Sequence, residues 1–208
     1  MYVDTMTIEQ IKKEIESVMK NVCRKCADIL GNKNYKRVCL KLDAEERHVF
    51  KRVDFSHNGI KYHIIPFVDG KHDYKKRGMN SVLFATFIWK GGLWAVLIAD
   101  NLKPRSFYTP HFFDRFIERN KVAADGTLDI MTSFFIKNSI STFDDYKHGD
   151  YKDSVFVAFE DGVGFGTKFD GYVVFKTFVS EKMLFENQQK IYDDYSWKRE
   201  LYILNKAV

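Results

Sequence analysis

The spacing of hydrophobic residues changes repeatedly along this 208-residue chain. Apolar residues recur every three to four positions in Thr7–Gly31, which predicts an amphipathic helix, and at every second position in Tyr35–Ala99, which is typical of half-buried strands. Helical spacing returns in Thr109–Arg119 and Gly126–Asn138, and alternation returns in Ser154–Val179, ahead of a closing helix. This order predicts an α+β fold, with hairpins and a C-terminal meander in an antiparallel sheet, helices packed against it, and N- and C-terminal helices at its flanks.

The turns between the predicted strands carry strong local signals. Asn58-Gly59 accepts positive φ at both central positions and predicts a two-residue hairpin, and Lys90-Gly91-Gly92 predicts a second hairpin. We expect loops at Asp69–Asn80 and Ser141–Asp153, and a helix cap at Ser180. The predicted strands are Val38–Leu42, His48–Phe55, Ile60–Val68, Ser81–Trp89, Leu93–Ala99, Ser154–Phe159, Val163–Lys168 and Tyr172–Val179.

The length and composition favour one domain spanning residues 1–208. With 45% hydrophobic residues and only 3 Pro, the chain carries no stretch typical of a long linker. A subdivision falls between residues 104 and 105, separating a helix with hairpins from the Thr109–Arg119 helix with the meander. No apolar run is long enough to cross a bilayer, so we expect no membrane partner. An odd number of cysteines, 3 in all, favours a reducing, cytoplasmic location.

The segment Phe107–Arg119 is the strongest candidate for function. Thr109 followed by Pro110 predicts a helix start, because the threonine hydroxyl caps free N–H groups and proline suits the first helical position. At helical spacing the phenylalanines fall on one side, whereas His111 and two arginines fall on the other. A helix N-terminus favours an anion, and arginine side chains suit phosphate. A solvated surface helix would give the same pattern.

Such a helix, followed by a meander, could support RNA cleavage without a metal or another cofactor. His111 can act as general acid or base, because an imidazole titrates near neutral pH. Arg115 and Arg119 would clamp the phosphate and stabilise its developing charge. From the later strands we nominate Thr177 as a catalytic residue and two lysines as substrate-binding residues, Lys168 and Lys176.

The stretch Tyr108–Arg119 resembles an element of small toxin nucleases, in which Thr/Ser-x-His is followed by Arg four and eight residues later. These are the RelE/BrnT-like endoribonucleases of the barnase–EndoU–colicin–RelE superfamily, and the similarity covers about Arg105–Val179. The resemblance implies a metal-independent, toxin-like endoribonuclease that acts on RNA and has a protein inhibitor or antitoxin as partner. This chain is longer and less basic than the solitary toxins of that group.

Two other segments leave alternatives open. Lys71–Arg77 mixes cations with an aromatic residue, so Lys75, Lys76 and Arg77 would bind nucleic acid, or else form a solvated loop. The alternative function is therefore a non-catalytic module that binds nucleic acid or protein. An aromatic-rich sheet could also enclose an apolar ligand. A Cys₃His metal site could be formed by Cys23, Cys26, Cys39 and His48. Cys26 lies on the apolar stripe of its helix, however, which favours free thiols and no metal site.

Overall fold

The computed structural model describes residues 5–99, 103–121, 126–138, 142–145 and 154–207. Its helices and strands confirm the predicted α+β fold, with helices packed against sheet. The helices are α1 (Ile8–Leu30), α2 (Lys33–Cys39), α3 (Lys71–Arg77), α4 (Pro110–Asn120), α5 (Thr127–Lys137) and α6 (Glu186–Ala207). The strands are β1 (Arg47–Val49), β2 (Val53–His57), β3 (Ile60–Asp69), β4 (Asn80–Trp89), β5 (Gly92–Ile98), β6 (Pro104–Tyr108), β7 (Thr142–Asp145), β8 (Ser154–Phe159), β9 (Gly162–Phe169) and β10 (Tyr172–Ser180). Within the described residues, no helix combines the length and the apolar character needed to cross a bilayer.

The chain divides into two compact units. The N-terminal unit comprises Met1–Gly91 with Val96–Pro104, and the C-terminal unit comprises Gly92–Ala95 with Arg105–Val208. Strand β5 therefore contributes residues to both units.

Strand β3 is the centre of the N-terminal unit. One of its edges pairs antiparallel with β1 and β2 in turn, and the other pairs antiparallel with β4. Both predicted hairpins are present, because Asn58 and Gly59 adopt φ of 46° and 75°, and Lys90 and Gly91 adopt 49° and 73°. These are the positive values that a two-residue turn requires.

Helix α1 packs its apolar side onto β3 and β4. Its predicted capping box is present, since the Thr7 hydroxyl accepts a hydrogen bond from the Gln10 backbone and the Gln10 side chain accepts one from Thr7 N–H. The predicted apolar positions are buried in the middle of the helix: Ile11, Ile15, Val18, Met19 and Val22.

Helices α2 and α3 replace the predicted strand at Val38–Leu42 and most of the predicted loop at Asp69–Asn80. Both predictions were wrong because each helix has only seven residues and depends on tertiary packing. One apolar cluster packs against both helices. Its buried members are Cys39, Phe50 and Val68, and Tyr35, Leu42, Tyr74 and Met79 pack against them.

The sheet of the C-terminal unit has the strand order β6-β10-β9-β8-β7. The β6–β10 pairing is parallel and the others are antiparallel, so the meander is antiparallel as expected, with one parallel neighbour added. A bulge interrupts β10 at Lys176, between Phe175, which lies opposite Gly166, and Thr177, which lies opposite Phe165. An extra residue of this kind reverses which face the following side chains occupy.

Aromatic rings fill the space between this sheet and helices α4 and α5. Tyr108 is the centre, with its ring centroid 5.0 Å from those of both Phe112 and Phe175. Phe134 and Phe135 of α5 contact the same ring at 5.7 and 5.1 Å. Most of these contacts are edge-to-face, a geometry that contributes about 0.5–1.5 kcal/mol per pair beyond the burial of apolar surface.

Helix α6 packs against β8 on the opposite face of that sheet, through a cluster containing Phe156, Val163 and Tyr192. Ser180 does not cap it, contrary to our prediction, because a 3₁₀ turn at Glu181–Met183 intervenes and the Ser180 side chain makes no cap hydrogen bond. Strand β7 occupies part of the predicted loop at Ser141–Asp153. The other residues of that loop lie outside the described part of the chain.

Candidate functional site

The start of helix α4 is fixed to strand β10 at the bulge. The backbone N–H of Thr109 donates to the Phe175 carbonyl oxygen at 3.1 Å, and its hydroxyl lies 3.3 Å from the Lys176 carbonyl oxygen. The same hydroxyl accepts the Phe112 N–H at 3.2 Å, and Pro110 follows at the first helical position. The predicted cap is therefore confirmed, and it also positions the first turn of α4 beside Lys176.

His111 is exposed in that first turn. No hydrogen bond or ion pair joins its imidazole to another residue in the described part of the chain. At helical spacing, Asp114 and Glu118 fall on the same side of α4 as His111 and are also exposed. Two carboxylates thus share the polar face with the two arginines, which weakens the attraction of this face for phosphate.

Both arginines of α4 have protein partners. Arg115 Nη1 lies 2.5 Å from a Glu118 carboxylate oxygen, within the same helix. Arg119 donates to the backbone carbonyl of Phe178 on β10. The second contact ties the last turn of α4 to the sheet, so Arg119 has a structural role that the sequence does not reveal.

Thr177 lies on the opposite face of the sheet from α4. It pairs with Phe165, which in turn pairs with Phe156, and Phe156 belongs to the cluster under α6. Residues that pair across an antiparallel ladder share a face, so the Thr177 side chain is on the α6 side. The structure does not bring Thr177 to His111.

The two lysines nominated from the strands are exposed. Lys176 is the bulged residue, and its carbonyl oxygen binds Thr109, so it is close to the start of α4. Lys168 pairs with Val173 near the end of β9, on the face that carries α4. Of the residues nominated as partners of His111, Lys176 is the one that the structure anchors beside the first turn.

Lys75, Lys76 and Arg77 form the exposed last turn of helix α3. Cations in the last turn complement the negative end of the helix dipole. Gly78 follows with a φ of 83° and closes the helix. Arg77 also pairs with Asp73 one turn earlier, at 3.4 Å. These residues belong to the N-terminal unit, whereas α4 belongs to the C-terminal unit.

Helices α2 and α3, which pack on the same apolar cluster, together carry a larger set of cations than the sequence pattern indicated. Residues 20–41 contain seven lysines and arginines and one carboxylate, a net charge of +6, whereas the whole chain carries +5. Three of these seven cations lie on α1, and three carboxylates follow α2 in the loop at Asp43–Glu46, whose backbone bonds to the start of α3, so carboxylates flank the cations of both short helices. We define the α2–α3 cationic surface by Lys33, Lys36, Arg37, Lys41, Lys71, Lys75, Lys76 and Arg77.

Three side chains, the partly exposed Asp54 and the buried His63 and Thr86, form a hydrogen-bonded series that was missed at the level of sequence. His63, with no exposed surface, has Nδ1 2.9 Å from an Asp54 carboxylate oxygen and Nε2 2.9 Å from the Thr86 hydroxyl. An ionised carboxylate can only accept, so Nδ1 carries the proton and Nε2 accepts from Thr86. The Asn58-Gly59 turn was the signal that could have found the first pair, since a two-residue hairpin places residue 54 opposite residue 63.

The protonation states of His63 and Asp54 follow from burial and from the hydrogen bonds and charges around them. Burial lowers the pKa of His63, and the hydrogen bond to Asp54 only partly opposes that effect. Burial alone would raise the pKa of Asp54, but hydrogen bonds and charge from His63 and Arg52 outweigh it and lower the pKa. The imidazole is therefore neutral and the carboxylate ionised near pH 7. Thr86 is 4% exposed, too little for its hydroxyl to meet a substrate, and we assign the three residues a structural role.

The three thiols are separate from these sites. Cys23 and Cys26 are half-buried on α1, and Cys39, the last residue of α2, is buried. Burial and the neighbouring Cys23 raise the pKa of Cys26 to about 11, which makes it a poor nucleophile. Among the residues that the structure describes, no three His, Cys, Asp or Glu side chains are grouped as metal ligands.

Comparisons with known proteins found no match: no family model, no curated protein and no solved structure resembles this chain.

Proposed function

We propose that this protein binds nucleic acid without catalysing a reaction, through the α2–α3 cationic surface. One observation carries the proposal: two short cationic helices, distant in sequence, pack on a single apolar cluster and present eight cations from one unit. Lysine and arginine side chains of this kind neutralise backbone phosphates and release the counterions that those phosphates hold.

The arrangement of the cluster supports this function. Tyr35 and Cys39 of α2 and Tyr74 of α3 lie on the inner side, against Phe50 and Val68. The remaining sides of both helices are therefore turned outwards, and all the defining cations except the half-buried Lys71 are exposed. A phosphate-binding surface needs charge that a ligand can reach more than it needs an enclosed cavity.

The experiment is a titration of fluorescent RNA with the full chain at several salt concentrations. We expect affinity to fall steeply with salt, with a log–log slope of roughly −0.7 for each phosphate neutralised on a single strand. The double variant Arg37→Glu with Lys75→Glu should weaken binding at least about tenfold, because it reverses one cation on each helix.

The control reverses two exposed lysines in the C-terminal unit, Lys182→Glu with Lys190→Glu, and changes the net charge by the same amount. Its affinity should stay close to that of the unaltered chain. An equal loss of RNA affinity in the two double variants would contradict a localised binding surface. An RNA affinity that does not depend on salt would favour a protein partner.

A metal-independent, toxin-like endoribonuclease is a second proposal, and one observation favours it. The exposed His111 follows Thr109 by two residues, and the Thr109 hydroxyl bonds to the Lys176 backbone carbonyl, so an exposed histidine and an exposed lysine lie near the same helix start. RNA would be the substrate, and a protein inhibitor or antitoxin would cover this end of α4. A cytoplasmic location fits the three free thiols.

Cleavage of RNA in the presence of EDTA tests this second proposal. His111→Ala should abolish cleavage and retain the fold, because the residue is exposed. His57→Ala is the matched control, since His57 is an exposed histidine of the N-terminal unit. Cleavage that survives His111→Ala, or RNA that stays intact with the unaltered chain, would reject the endoribonuclease.

A further inference from the structure

Cys23 and Cys26 form a pair of thiols on one side of helix α1. They are three residues apart, a spacing that makes two side chains neighbours on a helix, and both are half-buried. Burial and then the neighbouring Cys23 raise the pKa of Cys26, so the two thiols also interact electrostatically. Half-buried thiols are partly shielded from water and can still be reached from solvent, so the pair is accessible to a small ligand.

The geometry of the pair suits a bridging ion better than a disulfide. Side chains three residues apart on a helix have their Cβ atoms about 5–6 Å apart, whereas a disulfide needs about 3.5–4.5 Å. Both cysteines lie well inside a 23-residue helix, so joining their sulfurs directly would distort its turns. Two metal–thiolate bonds of about 2.3 Å each span about 4.6 Å between the sulfurs, and an ion between them therefore fits the undistorted helix.

The surroundings of the pair favour the thiolate anions that bind a metal ion. Every charged residue in the segment 17–27 is a lysine or an arginine. Lys20 lies three residues before Cys23, so the two are neighbours on the helix. The Lys25 ammonium lies 4.1 Å from the centroid of the Phe55 ring, which brings strand β2 beside this turn of α1. Nearby positive charge stabilises an anionic complex of the two sulfurs.

We infer that Cys23 and Cys26 form a binding site for a soft monovalent metal ion of the Cu(I) class. Thiolates are soft ligands that select Cu(I), and two of them in a near-linear arrangement satisfy this ion. On binding, each thiol releases its proton to solvent and each sulfur donates an electron pair to the ion, which leaves a complex with one negative charge. The inference is independent of both proposed functions, and it departs from our sequence-based expectation of no metal site.

Zinc is the competing ion, because it also binds thiolates. A structural zinc site takes four ligands in a tetrahedral arrangement. In the part of the chain that the structure describes, no third His, Cys, Asp or Glu side chain is grouped with the pair. Two ligands therefore favour Cu(I) over Zn²⁺.

The test is a titration of the reduced full chain with Cu(I) under nitrogen, in competition with bicinchoninate, whose Cu(I) complex is coloured. We expect the chain to withdraw a single equivalent of Cu(I) from the chelator. Cys23→Ser and Cys26→Ser should each weaken binding at least about 100-fold, since losing a ligand costs more than the roughly 10–100-fold typical of an outer partner. Cys39→Ala should leave the affinity unchanged, because Cys39 belongs to a separate buried cluster.

The matched control keeps the number of thiols and changes only their placement. Asp28 is exposed and lies two residues from Cys26, so it falls on another side of α1. In the double variant Cys26→Ser with Asp28→Cys, the two thiols of α1 are five residues apart and do not face each other. This variant should bind Cu(I) no more tightly than Cys26→Ser.

Each remaining outcome would overturn the inference. A Cu(I) affinity that survives both single serine variants, or that the double variant retains, would show that the pair is not the site. Tighter binding of Zn²⁺ than of Cu(I) in a parallel titration would require further ligands. Mass spectrometry after thiol blocking gives the oxidation state of the isolated chain, and a disulfide between Cys23 and Cys26 would assign the pair to redox chemistry instead.

Discussion

Asp54 and His63 face each other across the β2–β3 hairpin, with a carboxylate oxygen 2.9 Å from the imidazole Nδ1. Burial lowers the pKa of His63 despite this contact, so the folded protein resists protonation there. An unfolded histidine titrates near pH 6.5, so below that pH the unfolded chain binds a proton that the folded chain does not. Stability is therefore fully present above about pH 6.5 and declines as the pH falls.

We expect the free energy of unfolding in urea to decrease as the pH falls from about 7.5 to about 5.5, because the unfolded chain takes up a proton at His63 that the folded chain excludes. His63→Gln should flatten this dependence, whereas His72→Gln, on the exposed side of α3, should retain it. Protonation of Asp54 does not contribute in this pH range, because its lowered pKa affects stability only at more acidic pH. A pH dependence that survives His63→Gln would assign it to another group.

The Thr86 hydroxyl makes a separate contribution to the free energy of unfolding. Thr86→Val keeps the shape of the side chain but removes the donor to His63 Nε2, and the acceptor stays buried without that partner. We expect a loss of about 1–3 kcal/mol in the free energy of unfolding. Thr177→Val is the matched control, since Thr177 is a half-exposed strand threonine, and should change stability by less than about 0.5 kcal/mol. Equal losses would mean that the hydrogen bond to His63 contributes nothing specific.

The two arginines of α4 should differ in their effect on stability. Arg119→Met removes the contact to the Phe178 carbonyl and should cost about 1–3 kcal/mol in urea unfolding. Arg115→Met breaks only the exposed pair with Glu118 and should cost less than about 1 kcal/mol. A larger loss for Arg115→Met than for Arg119→Met would show that the contact to β10 does not hold the helix in place.

Gly164, on β9, permits the close approach of three aromatic rings. A Cβ atom there would lie 2.5 Å from the Phe159 ring and 3.2 Å from the rings of Phe112 and Phe175. We expect Gly164→Ala to lower the free energy of unfolding by about 1–3 kcal/mol, because the packed rings have to shift. Gly126→Ala is the control, since nothing lies within 4 Å of its added Cβ. Thermal unfolding of the two variants and the unaltered chain makes the comparison.

The accuracy of the sequence-based predictions depended on how local each signal was. The turns at Asn58-Gly59 and Lys90-Gly91, and the Thr109–Pro110 cap, are determined by two or three adjacent residues, and all are present. Helices α2 and α3 were missed because their stability comes from Phe50 and Val68, which are distant in sequence. No local pattern in a seven-residue segment reports such partners.

The candidate site on α4 could be predicted only in part for a related reason. Helical spacing placed His111, Arg115 and Arg119 on one side, and the exposure of His111 agrees with that arrangement. The face of Thr177 depends on the bulge at Lys176, and the partner of Arg119 is a backbone carbonyl, which no side-chain pattern identifies. The role of Thr177 in catalysis stays a prediction, now without a geometric argument in its favour.

The extra residue in β10 determines which face of the strand the next aromatic ring occupies. Phe175 and Phe178 are three positions apart, an odd interval that in an uninterrupted strand would send their rings to opposite sides. With Lys176 inserted, both rings contact Phe112. Without this bulge, and with every residue of β10 kept, Phe178 would turn away from α4 and Thr177 would take its place, so one exposed lysine determines the composition of the interior.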